Sequence, residues 1–276
     1  MQLYDLHTHT TCSHDGKQDP DTLCRTAVSL QMAGVAVTDH ADLPYLSRPG
    51  ALQRLADSFA EADRCAKRYV GQLEVLRGVE LGEECWAREA ADTVRALGQY
   101  DIILASVHGY MRDGKCIYYA QEPFDAAHYS DAALTDFLRR YFDDMAENAA
   151  TADYDVLAHL TCPVRYIEGK WHRAVRLDGF ADVIDDILRT VIRRDKTLEV
   201  NTSGMATDWG CRMPQEELLR RYYALGGHRV CMGSDAHVSE RLGVGLPATA
   251  ALLQRIGFAG QTVYRRRTPV LLPWEE

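Results

Sequence analysis

A seven-stranded α/β barrel is the fold class that this sequence predicts, and three observations predict it. Short apolar runs alternate with longer segments of helical spacing, nearly every run stops in a residue able to bind metal or a polar ligand, and 276 residues suit one barrel core. Strand and helix in alternation demand parallel strands joined by crossover helices, which leaves an open doubly wound sheet or a barrel. The strand ends decide between them. In a barrel the C-terminal ends of all strands meet at one mouth, whereas an open sheet gathers only a few at its switch point.

The candidate strands are 3–6, 35–37, 73–79, 102–107, 156–158, 198–200 and 230–232, and they run out into His7, Asp39-His40, Glu80, His108, His159, Asn201 and Asp235. Helical spacing marks 21–33, 52–69, 131–150, 181–194 and 214–225. The last opens on Pro214 and closes before Gly226-Gly227, the expected start and stop residues. Segments 111–129 and 163–179 are polar and read as loops over the mouth. With no repeat, low-complexity tract or Pro/Ser-rich linker in the sequence, residues 1–276 are expected to form a single domain.

Composition narrows the function. At 46% hydrophobic and 26% charged residues, the chain resembles a soluble globular enzyme. A formal charge of −9 argues against nucleic acid as a partner, because phosphate backbones demand basic stripes. The first residues lack a basic and apolar leader, and no apolar run approaches the roughly 18 residues of a spanning helix, so a cytoplasmic protein without membrane contact is expected. The eight cysteines form no CxxC pair and read as free thiols in a reducing compartment, with Cys12 set apart by its place inside a histidine cluster. Composition does not fix the oligomeric state.

Asp5-Leu6-His7-Thr8-His9 carries the strongest local signal. Residues two apart on an extended chain share a face, so His7 and His9 can reach one ion, and His14 adds a donor beyond a short turn. The second strand stops in Thr38-Asp39-His40, where His40 is read as a ligand and Asp39 as a hydrogen-bonding support. Glu80 sits at a strand end and suits a bridging carboxylate better than Glu83 or Glu84, which read as a polar helix start. Val107-His108-Gly109 and Ala158-His159-Leu160 each bring a histidine to a strand end, and Gly233-Ser234-Asp235-Ala236-His237 repeats the alternation of the first cluster. Seven of the ten histidines thus lie at or just after strand ends, leaving His128, His172 and His228 aside. Imidazole and carboxylate donors without thiolate pairs suit zinc, iron or manganese.

HxH, TDH, the strand-ending Glu80, SVHG, AHL and GSDAH, in this order, resemble the polymerase and histidinol phosphatase (PHP) superfamily, and within it the monofunctional histidinol-phosphatase family. The segments 160–166, 199–204 and 214–237 add to that likeness, which spans nearly the whole chain. The resemblance implies a distorted (βα)7 barrel with its site at the C-terminal ends of the strands and three divalent metal ions. It groups His7, His9, Glu80 and Asp235 on one ion, Glu80, His108 and His159 on the second, and His14, His40 and His237 on the third. It further implies a small phosphorylated substrate, L-histidinol phosphate, split to L-histidinol and phosphate in histidine biosynthesis. Asp235, His237 and Arg165 are then the catalytic candidates, with Arg165, Asn201 and Arg241 as substrate contacts. Three rival readings are a phosphoesterase for nucleotides or oligonucleotide ends, an amidohydrolase and a metal-binding module without activity. Polymer substrates suit neither the acidic balance nor the length, and an amidohydrolase would lack the TDH and GSDAH pairing.

Overall fold

The computed structural model describes residues 2–274. All seven expected apolar runs form strands, because side chains that are apolar on both faces find no solvent to face and must be covered on both sides. They are β1 (Tyr4–Thr8), β2 (Gly34–Val37), β4 (Glu74–Gly82), β5 (Ile102–Ser106), β8 (Val156–Leu157), β9 (Thr197–Asn201) and β10 (Val230–Gly233), paired in that order and parallel throughout. A short β3 (His40–Asp42) continues beyond β2 and pairs with β4, setting His40 opposite Glu80.

The barrel is nearly closed. No regular ladder joins β10 to β1; the Asp5 carboxylate accepts from Ser234 N at 2.8 Å and from Gly243 N at 3.0 Å. Asp235 N donates to His7 O at 2.8 Å, and His9 N donates to Ala236 O at 3.0 Å. Burial pushes the Asp5 carboxyl up to about 6, against the pull of the N–H donors around it. Gly233 makes the close seam possible, since a Cβ there would lie 2.3 Å from His7 Cβ.

The helices are α1 (Pro20–Ser29), α2 (Ala51–Arg68), α3 (Arg88–Arg95), α4 (Asp131–Thr151), α5 (Cys162–Gly169), α6 (Ala181–Arg193), α7 (Glu216–Ala224) and α8 (Leu246–Ile256). Asp19 caps α1 by accepting from the amides of Asp21 and Thr22, with Pro20 as its first residue, and Ser130 caps α4. α7 departs from expectation. Met213 exchanges backbone hydrogen bonds with Asn201 at 2.8 Å each way, so Pro214 falls in the bend after that bridge and the helix begins at Glu216. The expected loop 163–179 is also mostly ordered into α5 and a turn of 3-10 helix at Leu177–Phe180, and 111–129 overlaps a hairpin of β6 (Gly109–Arg112) and β7 (Lys115–Tyr118).

Two apolar cores result. One lies between the strands and the helices; the other fills the barrel with Tyr4, Leu6, Leu76, Ile102, Leu104 and Cys231. Val263 and Tyr264 join the inner core from a C-terminal hairpin, β11 (Gly260–Arg265) and β12 (Thr268–Pro273). Tyr264 Oη donates to Asp155 O at 3.0 Å, Arg267 N donates to Asp101 O at 2.8 Å, and Arg265 pairs with Glu74 at 2.6 Å. Asp101, Asp155 and Glu74 all precede or begin strands, so the hairpin plugs the N-terminal end and leaves the opposite mouth for the site.

Candidate metal centre

Each expected donor leaves the barrel at the C-terminal mouth. β1 supplies His7 and, one step past its end, His9; their rings lie 5.0 Å apart between centroids. Glu80, fully buried on β4, stands at the middle. Its Oε1 is 2.8 Å from His159 Nε2 and 3.1 Å from His108 Nε2, while Oε2 is 2.7 Å from His40 Nδ1, 3.4 Å from His7 Nε2 and 3.7 Å from His9 Nε2. Asp235 Oδ1 lies 3.3 Å from His9 Nε2 and 3.8 Å from His7 Nε2.

The donor set fits divalent cations on three counts. His7 Nε2 and His9 Nε2 are buried without a hydrogen-bond partner, a costly state for polar atoms. Pairs of imidazole nitrogens face each other at 3.3 Å, His108 Nε2 with His159 Nε2 and His237 Nε2 with His40 Nε2. Two nitrogens on one tetrahedral zinc, each at about 2.0–2.1 Å, stand at about that separation. Donor atoms also cluster in four groups: His9, His40 and His237; His7, Glu80 and His159; His7, His9 and Asp235; and His40, Glu80 and His108.

A further layer of carboxylates holds the donors, and most of it escapes a reading of strand ends. Glu199 faces His7 Nδ1 at 2.7 Å. Asp42 lies 3.6 Å from His108 Nδ1, and Glu83 accepts from the amides of His108 and Gly109. Glu83 is therefore a buried support beneath the centre, while Glu84 opens a turn of 3-10 helix as expected. Asp39 acts at one remove: it accepts from Ser13 Oγ at 2.7 Å, and Ser13 Oγ lies 3.2 Å from His9 Nδ1. The visible signal for Glu199 is a lone acid between Leu198 and Val200 inside a fully buried strand.

Electrostatics follow from this crowding. Burial penalises a charged Glu80, yet His108, His7 and His40 hold its carboxyl well below the usual range. Burial likewise opposes protonation of His7, but Glu199, Glu80 and Asp235 raise its pKa well above the ordinary value. His9 goes the other way, lowered by burial and by neighbouring His237 and His40. The two rings shift in opposite directions because His7 is set among carboxylates whereas His9 lies beside two other imidazoles.

A cavity of about 270 Å³ opens above the donors, lined by His40, His108, His159, Asp235 and His237 and, on one wall, by Arg165, Tyr166 and Tyr118 to Gln121. Arg165 sits on α5 rather than on the loop expected there; it lies 3.6 Å from Asp235 Oδ2 and donates to Tyr166 Oη at 2.6 Å and to Ser203 Oγ. Asn201 is buried and does not line the cavity; its Oδ1 accepts from Ser203, which in turn meets Arg165. Arg241 is exposed, turned to the Ala206 carbonyl and outside the cavity wall. His14 lines the cavity but belongs to none of the four donor groups, its side chain being 55% exposed. Asp15 comes closer, 3.3 Å from His237 Nε2 and 3.7 Å from His40 Nε2. Cys12 is half-buried with its thiol pushed up by burial, and all eight cysteines are free.

The PHP domain model matches residues 5–203. The probable histidinol-phosphatase of Thermotoga maritima is 27% identical over 256 residues, covering 93% of each chain. That of Clostridium acetobutylicum is 25% identical over 246 residues, covering 88% of this chain and 89% of that protein. Among solved structures, the histidinol phosphate phosphatase from Lactococcus lactis, crystallised with zinc, L-histidinol and phosphate, superposes with a TM-score of 0.76 at 19% identity. It covers 98% of this chain and 99% of that one, a likeness of fold.

Proposed function

The chain belongs to the PHP domain family, and on that premise we propose that it is a metal-dependent phosphomonoesterase that hydrolyses L-histidinol phosphate to L-histidinol and phosphate. The observation that carries this reading is the convergence of His7, His9, His40, His108 and His159 on Glu80, with Arg165 on the wall of the cavity above. The names of the two bacterial relatives support the substrate. A cavity of about 270 Å³ suits a small phosphoester better than a nucleic-acid strand.

In this reading three divalent ions, zinc, iron or manganese, share the centre. His7, His9, Asp235 and Glu80 would hold the first, and Glu80, His108 and His159 the second. The third falls to His40 and His237, with Asp15 nearer to them than His14 is. When bound, such cations make water nucleophilic near neutral pH and offset charge on phosphoryl oxygens. Glu80 spans two sites with its two oxygens. Arg165 presents a guanidinium already fixed by Ser203 and Tyr166, so its fork meets phosphoryl oxygens with little ordering cost. His237 donates from Nδ1 to the Asp235 carbonyl at 2.9 Å, which leaves Nε2 its lone pair and no proton for a leaving group. Asp235 Oδ2 faces the Arg165 guanidinium at 3.6 Å, and against burial His7, His9 and His237 hold its carboxyl well below the usual range, so Asp235 stays an ionised acceptor and does not carry that proton either.

The reaction sits in histidine biosynthesis, and we place it in the cytoplasm, where eight free thiols persist. Among the described residues no helix is long and apolar enough to cross a membrane. Phosphate release by zinc- or manganese-loaded protein, measured on histidinol phosphate beside nucleoside monophosphates and short oligonucleotides, tests the reading. Preference for histidinol phosphate is expected; cleavage of nucleotides alone would overturn the substrate, and no release from any of them would overturn the activity.

A further inference from the structure

The geometry points to Glu199 as a positioning residue that sets two metal ligands at once, one carboxylate oxygen orienting the His7 ring and the other fixing the backbone of His159. This rests on the metal-binding reading of the centre. Glu199 lies on β9, is 1% exposed, and does not line the cavity, so it reaches substrate only through others.

Its first oxygen decides a tautomer. Oε1 stands 2.7 Å from His7 Nδ1, and an ionised carboxylate only accepts, so the Nδ1 proton must point to Glu199. The lone pair is then on Nε2, the atom that faces Glu80 at 3.4 Å and Asp235 at 3.8 Å and has no other partner. A carboxylate behind a ligating imidazole holds the ring and raises its basicity.

The second oxygen answers a different need. Oε2 accepts from His159 N at 2.7 Å, and His159 has φ +23, a conformation that a side-chain-bearing residue adopts only when its surroundings force it. The Cys162 amide donates to the His159 carbonyl at 2.8 Å, so the peptide groups on both sides of this residue are held. Out of that conformation the ring would leave Glu80 Oε1, now 2.8 Å away. Room for the carboxylate exists because residue 233 is glycine: a Cβ there would lie 2.6 Å from Glu199 Oε1.

In the grouping proposed above His7 and His159 serve different ions, so weakening Glu199 should weaken both. Zinc uptake by metal-free protein, followed by competition with a chromophoric chelator, reads this without recourse to activity. In Glu199→Gln the amide nitrogen must face either the His7 N–H or the His159 N–H, donor to donor, and the affinity of at least one ion is expected to fall by about 10–100-fold. In a His7→Ala background the amide nitrogen can face the vacated ring, so Glu199→Gln should cost the ion held by His159 little, whereas Glu199→Ala, which removes the acceptor for His159 N, should still weaken it. Unchanged zinc affinity in a folded Glu199→Gln protein overturns the proposal, whereas wild-type protein that takes up no zinc overturns the metal reading itself. If circular dichroism shows Glu199→Gln unfolded, 15N NMR of histidine-labelled, zinc-loaded wild-type protein decides: His7 protonated on Nδ1 supports the proposal, and protonated on Nε2 sinks it.

Discussion

The Arg165 guanidinium stands 3.6 Å from the Asp235 carboxylate, a cation from α5 facing an acid just past the end of the last barrel strand, both on the cavity wall. Burial disfavours its charge, but Tyr166, Cys162 and Asp235 hold its pKa further above the ordinary value, so it stays a cation at every working pH. Replacing Arg165 by alanine removes the fork for phosphoryl oxygens, a charge-assisted contact worth about 1.5–3 kcal/mol. Steady-state kinetics on histidinol phosphate should show kcat/KM down by roughly 10–150-fold, chiefly through KM. An unchanged KM would remove Arg165 from the substrate site.

Glu80 makes a sharper prediction, because both of its oxygens face histidine nitrogens of different groups. Glu80→Gln leaves an amide nitrogen that cannot accept a cation, so one of the two ions it spans should be lost. Metal analysis after dialysis should show fewer equivalents than wild type, and kcat should drop by at least about 100-fold, since a Lewis acid contributes several kcal/mol. Full metal content with full activity would contradict the bridging role.

Acid and base act differently on the empty and the loaded centre. Burial opposes protonation of His40 and His159, yet Glu80 raises the first to about 9, and Cys162 and Glu80 raise the second to about 10. Raised histidine pKa values stabilise the metal-free fold fully below about 6.5, and that contribution is lost as pH climbs through 9 and 10. Cations need those same nitrogens free of protons, so their binding strengthens over the same interval. The melting temperature of zinc-loaded protein should therefore exceed that of EDTA-treated protein by a margin that widens from pH 6.5 to pH 9. A margin that stayed constant or narrowed would mean that these histidines are not the proton-linked ligands.

Period and strand ends made the barrel legible, down to Glu80 on β4 and the histidines on or just after β1, β2, β5, β8 and β10, because strands covered on both faces are short, apolar and stop abruptly. Less was visible where tertiary contacts overrule local pattern. Met213 pairs with Asn201 and so removes Pro214 from the helix it resembles a start for. α5 hides because its eight residues carry Pro163 and Gly169, both loop signals taken alone. Neither Glu199 nor Asp15 shows its role locally: the one is a single acid within a strand, in a segment that adds to the family likeness without marking a ligand or a support, and the other meets His237 only through the fold. The C-terminal hairpin was unread because Arg265-Arg266-Arg267 and two prolines interrupt any strand pattern over 260–273.

That hairpin yields the last prediction. Arg267 donates to Asp153 at 2.7 and 2.9 Å and to the buried Asp155 at 3.1 Å, tying the plug to the start of β8. Burial raises the Asp155 pKa even with Arg267 pulling it down, so without the arginine it rises further. A carboxyl whose folded pKa lies above its unfolded value of 3.8 costs stability once ionised, and the cost grows as pH rises through the folded pKa. Arg267→Ala should therefore destabilise the protein more at pH 8 than at pH 5. With Arg267 30% exposed, the loss at pH 8 should be about 1–3 kcal/mol, between a surface and a buried pair. Thermal melts should show Tm falling by roughly 2–12 °C at pH 8 and less at pH 5. The hairpin closes the end of the barrel opposite the donors, so kcat at a temperature where the variant is folded should match wild type. A larger loss at pH 5 than at pH 8 would show that Asp155 is not the group the arginine serves.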